Sequence, residues 1–158
     1  MTPTYFLLPV FLIGVVAGLR SMTAPAVVCW GAHLGWLALA GSSLGFFVHP
    51  AALVAFTIFA VGELIADKLP VIPSRTTAGP LVVRLISGAL SGAALCIAAH
   101  SAVFYGILLG AVGAIIGAYG GYYYRRGIPA NNRAMQFLAA LLEDVVAVCG
   151  GFWIVSRF

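Results

Sequence analysis

Long apolar runs fill this chain, and its few charged residues fall between them. Several apolar segments of 16–23 residues lack any Asp, Glu, Lys or Arg, the length a helix needs to cross ~30 Å of hydrocarbon. The runs predict six helical segments, near residues 5–19, 23–40, 51–66, 81–99, 102–124 and 134–155. Pro9 and Pro25 sit near the starts of the first two, where proline is tolerated. Pro70, Pro73, Gly79 and Pro80 exclude helix between the third and fourth. The alternating ten-residue segments of a membrane β-barrel are missing. The expected fold class is therefore all-α: a polytopic membrane helical bundle of about six transmembrane helices, forming one integral membrane domain over residues 1–158.

Composition agrees. Of 158 residues, 63% are hydrophobic and 8% charged, with mean hydropathy +1.10. A soluble domain carries roughly 25% charged residues. A net charge of +4 would suggest nucleic acid in a soluble protein. Here the basic residues lie between spans, so they report topology and no nucleic-acid partner is expected. Met1 to Tyr5 lacks the basic start of a signal peptide. Cys29, Cys96 and Cys149 all lie in apolar segments, where a free thiol acts as a small hydrophobe.

With six spans, the loops after segments one, three and five share one side. They hold Arg20, Lys68, Arg75, Arg84, Arg125, Arg126 and Arg133, leaving only Arg157 opposite. The positive-inside rule makes that side cytoplasmic and places both termini outside. A five-span arrangement, with segment two re-entrant or peripheral, explains the later loops equally well. Six spans divide into three plus three of opposite orientation, as in inverted-repeat transporters. The halves would be about 1–72 and 80–158, bridged by a cytoplasmic loop at 70–80. A faint echo accompanies this: VVAGLRSMTAPA (15–26) lies over LISGALSGAALC (85–96), sharing Gly18/Gly88, Ser21/Ser91 and Ala24/Ala94.

Charge inside such a chain is costly and marks either structure or function. Glu63 and Asp67 share a helix face. Glu63 would lie about 7 Å inside the cytoplasmic boundary at ~1.5 Å per residue, level with Arg20 and Arg84. These residues form either an ion-pair network pinning helices together or a polar cavity. In the cavity, the acids would bind a cation or proton and the arginines an anion. Glu143 would lie ~13 Å deep with no Lys or Arg expected at its depth, so it is protonated, paired from another segment or facing water. Asp144 points roughly 100° away from it. Cys29/His33 and Cys96/His100 suggest a four-ligand zinc site, but a depth mismatch of ~13 Å argues against it, and no metal or cofactor is expected. Ser74, Arg75, Thr76, Thr77 and Gly79 form a hydroxyl-rich basic loop suited to a phosphate or lipid head group. No catalytic motif appears, so enzyme activity is not expected. Gly106, Gly110, Gly113, Gly117, Gly120 and Gly121 leave one side of segment five (102–124) nearly bare. That side predicts close packing within the chain or in a homo-oligomer.

The residues GLRSMTAPA (18–26), GELIADKLPVIPSRT (62–76), RLISGALSGA (84–93) and LEDVVAV (142–148) together resemble a bacterial membrane family known as domain of unknown function 4126. The resemblance implies an integral membrane protein over nearly the whole chain. It singles out Arg20, Glu63, Asp67, Lys68, Arg75, Arg84 and Glu143, the residues the cost argument selects.

Two functions follow as expectations. One is a small transporter or channel for an ion or anionic solute, with a site built from Glu63, Asp67, Arg20, Arg84, Glu143 and Arg75 near the cytoplasmic side. The other is a non-transporting membrane module that binds lipid or a partner protein, its charges purely structural. For the topology, cysteines introduced as Ser42→Cys and Arg126→Cys are expected to label from opposite sides of the membrane. Labelling from the same side overturns the six-span arrangement.

Overall fold

The computed structural model of the chain describes residues 6–66, 78–129 and 132–158. It contains six α-helices: α1 (Leu7–Leu19), α2 (Thr23–His33), α3 (Pro50–Ala66), α4 (Ala78–Ala98), α5 (Val103–Arg126) and α6 (Arg133–Val155). A 3-10 turn at Gly45–Val48 precedes α3. Among the described residues there is no strand. Helices α4, α5 and α6 are long and apolar enough to cross a membrane, while α1 and α3 are shorter apolar helices.

Size sorts the side chains. The buried positions of α5 are all Gly or Ala, while Phe104, Ile107, Ile116 and Tyr123 project outward. Helix α3 buries only Ala60 and exposes Ile58, Phe59 and Ile65. Small residues inside and large apolar ones outside is the arrangement that suits lipid, where close backbone packing replaces the hydrophobic driving force between helices.

The tightest seam runs through α5. Gly14 lies against Gly110, and Gly18 against Ala114 and Gly117, so α1 and α5 run in the same direction. Gly88 faces Gly110 and Gly92 faces Gly106, so α4 runs opposite to both. Gly110 is the point where three backbones meet. A Cβ placed on Gly88 would lie 2.6 Å from the Gly110 carbonyl oxygen. The bare side of segment five is thus used within the chain at Gly106, Gly110, Gly113 and Gly117, whereas Gly120 faces open space.

Helix α2 departs from expectation. Segment two was expected to run to residue 40, but the helix stops at His33. The cause is a Schellman cap: Gly35 takes φ +79°, its N–H donates to Ala32 O at 3.2 Å, and the Trp36 N–H donates to Gly31 O at 2.9 Å. Eleven residues rise about 16 Å, roughly half of ~30 Å of hydrocarbon. The chain beyond is not helical up to the 3-10 turn, yet Leu37, Leu39 and Phe47 are buried with Val10, Ile13 and Val28 in the core. Nearly all of α2 is buried. It runs alongside α6, with Gly31 against Val155 and Gly151 against Val27. Trp30 Nε1 donates to Thr57 Oγ1 of α3 at 3.2 Å.

The internal echo has no structural counterpart. Residues 15–26 cross the break between α1 and α2, whereas 85–96 lie inside the unbroken α4.

A second Schellman cap ends α4, with Ser101 N–H to Cys96 O at 2.8 Å and His100 N–H to Ile97 O at 3.0 Å. His100 occupies the left-handed position at φ 51°, where a side chain costs ~1–2 kcal/mol. His100→Gly is expected to raise thermal stability in detergent by about 0.5–1 kcal/mol, the strain relieved less the entropy gained by the unfolded chain. Gly110→Ala is expected to cost about 1–3 kcal/mol and Gly120→Ala almost nothing. Equal losses in the two alanine variants would contradict the seam.

Candidate functional site

The site begins where α1 and α2 meet. A helix end leaves backbone groups without intrahelical partners, and an apolar interior supplies none. Here two side chains from elsewhere supply them. Arg84 of α4 donates through Nη1 to Gly18 O at 2.6 Å and Leu19 O at 2.9 Å, the last carbonyls of α1. Glu63, in the last turn of α3, accepts from the other side of the break. Its Oε1 takes the Ser21 N–H and the Ser21 Oγ–H, both at 2.8 Å, and its Oε2 takes the Met22 N–H at 2.8 Å. A cation thus sits at a helix C-terminus and an anion at a helix N-terminus, each matched to the local dipole. Pro25 removes one further donor from the start of α2. The two caps also face one another, with Arg84 Nη2 3.7 Å from Glu63 Oε1. Ser87 Oγ–H donates to the Ser21 carbonyl and ties α4 to the break.

Two more ion pairs extend this layer. Arg20, fully buried, places Nη2 2.5 Å from Asp144 Oδ1 of α6. Arg125 donates from Nε to Glu143 Oε2 at 2.9 Å, and its Nη2 lies 2.8 Å from the same oxygen as an ion pair. The ~100° step between residues 143 and 144 sends these adjacent acids to different arginines on different helices.

Of the residues singled out in the sequence, Glu63 and Arg84 come together as expected. Arg20 does not join them: its guanidinium turns to Asp144, although its chain neighbour Ser21 holds Glu63. Glu143 is paired from another helix, one of the three outcomes expected for it, although no cation was expected at its depth. Helix α5 continues to Arg126, and the long stem of Arg125 carries its head group inward. Asp67, Lys68, Ser74, Arg75, Thr76 and Thr77 lie outside the described residues, whereas Gly79 of the expected hydroxyl-rich loop and Pro80 belong to the first turn of α4 instead of excluding helix, since proline is tolerated there. Asp144 is a further residue of this layer that was not among the expected site residues; a buried carboxylate is as costly there as at Glu143, and two adjacent acids on different faces call for two separate cations.

Thr23 at the start of α2 and Ser91 on α4 carry buried hydroxyls with no hydrogen-bond partner among the described residues. Nor is there among them any group of three His, Cys, Asp or Glu that could hold a metal ion.

Residues 7–156 match the family described as Domain of unknown function (DUF4126). The chain belongs to that family. No curated protein and no solved structure matches it. The match covers α1 to α6, so the broken helix and its ion pairs lie within the region that defines the DUF4126 chain.

Removing one partner of a buried ion pair strands the other charge, at a cost of ~3–5 kcal/mol. Arg20→Ala and Asp144→Ala are each expected to lower thermal stability on that scale. The double variant is expected to fall well short of the sum, and full additivity would show that the two side chains are not coupled.

Proposed function

We propose that this DUF4126 protein is a small multi-span membrane transporter or channel for an ion or anionic solute, with its site at the α1–α2 break. The observation that carries the reading is the break itself. A helix C-terminus and a helix N-terminus converge inside the bundle, each met by an ionised side chain on another helix. Discontinuous helices of this kind hold ions and charged solutes in secondary transporters, where half-helix N-termini meet anionic groups and unwound carbonyls meet cations. The likeness is one of physics and carries no sequence kinship. Glu63 and Arg84 form the centre of the site; Arg20 and Asp144 brace it from α6. In this reading the protein lies in the bacterial inner membrane with both termini outside, and it is not an enzyme.

A second reading draws on a different observation. All three described acids, Glu63, Glu143 and Asp144, are paired with arginines. Such pairing suits a non-transporting module that binds lipid or a partner protein, including a second copy of the chain.

Reconstitution decides between them. Proteoliposomes are assayed for proton, cation and small-anion flux with wild type and Glu63→Gln. The transport reading expects flux in wild type and its loss in Glu63→Gln. Absence of flux in both proteins, together with a sharp fall in the thermal stability of Glu63→Gln, would leave only the structural module.

A further inference from the structure

We infer that a buried water molecule is bound at the start of α2, held by the hydroxyls of Thr23 and Ser91 together with the first-turn amides of α2. The inference goes beyond the transport reading and does not depend on it.

A hydroxyl inside a helical bundle has a usual outlet, the backbone carbonyl one turn back. Thr57 takes it, donating through Oγ1 to Leu53 O at 2.6 Å. Ser156 does the same through Oγ to Trp153 O at 2.9 Å. Ser87 donates instead to the Ser21 carbonyl. The hydroxyls of Thr23 and Ser91 have no partner among the described residues. Thr23 is 2% exposed and Ser91 0%, so bulk solvent does not serve them either. Leaving a buried hydroxyl unpaired is costly, and such groups are found with a protein partner or an ordered water.

The two hydroxyls belong to one region. Thr23 is the first residue of α2, two positions beyond Ser21. Ser91 lies one turn along α4 from Ser87 on the same helix face, and Ser87 is the residue that ties α4 to Ser21. Helices α2 and α4 pack against each other.

The same region carries spare donors. The first N–H groups of a helix have no intrahelical acceptor. Glu63 takes those of Ser21 and Met22. Position 25 is proline, and the Ala26 N–H closes the first turn onto Met22 O at 3.1 Å. The N–H groups of Thr23 and Ala24 are the other two of that turn.

Water fits this set. A buried water makes about three hydrogen bonds, and it both donates and accepts. It accepts from an N–H of the α2 turn and exchanges bonds with the two hydroxyls. Being neutral, it is bound whatever the balance of charge around the break. Residues covered as fully as Thr23 and Ser91 admit nothing larger.

Two measurements in lipid nanodiscs test this. The first is NMR magnetisation transfer from water to the amide protons of Thr23 and Ala24. A cross-peak is expected in wild type and its loss in Ser91→Ala. Its absence from wild type, or its persistence in Ser91→Ala, overturns the inference. The second is thermal unfolding. Ser91→Ala and Thr23→Val are each expected to lower Tm by at least about 2 °C, because the hydroxyl that remains loses its water. The double variant is expected to fall little further, since one water is lost only once. A Tm that is unchanged or raised in the single variants is the result of removing a hydroxyl that bound nothing, and it overturns the inference, as does full additivity in the double variant. If the variants do not fold, the wild-type cross-peak decides alone. Flux enters neither measurement, so the transport reading stands or falls separately.

Discussion

A helix that stops inside an apolar bundle must find partners for its last carbonyls and its first amides, and lipid offers none. The DUF4126 chain meets this constraint at the turn between α1 and α2 with two ionised side chains of opposite sign. Arg84 binds the carbonyls of Gly18 and Leu19, and Glu63 binds the amides of Ser21 and Met22. The two caps face one another across the break, so their opposite charges offset each other in a low-dielectric interior. The positions of α3 and α4 follow from this. The last turn of α3 must reach the start of α2, and the first turns of α4 must reach the end of α1.

The remaining architecture holds that junction in place. Glycines on α1, α4 and α5 let three backbones touch around Gly110, which fixes the depth at which Arg84 meets α1. Asp144 fixes Arg20, the residue that joins the end of α1 to the break. Packing is strong where the arginines lie and weak where Glu63 lies, since α3 presents most of its surface outward.

Much of this was legible in the sequence, for identifiable reasons. Low charge and long apolar runs indicate a helical membrane-type protein, and five of the six helices fall close to the predicted segments. The pairing of Glu63 with Arg84 follows from the rule that buried charges seek partners. The true length of α2 was not read, although Gly35 directly after His33 and Leu34 is a recognisable stop signal; the hydrophobicity of Leu37 and Leu39 masked it, because both are buried without being helical. Depth alone placed Arg20 with Glu63 and Arg84 and named no partner for Glu143. A helical rise gives the height of a Cα, but an arginine head group ranges well beyond it. The bare face of α5 was correctly read as a packing surface, but glycines alone do not say which neighbours cover them.

The bond between Arg20 and Asp144 also bears on how the protein is made. Arg20 caps α1 and Asp144 belongs to α6, with α2 to α5 between them in the chain. The carboxylate of this pair is added only after those intervening helices, so this contact between α1 and α6 forms later in translation than the helix it anchors.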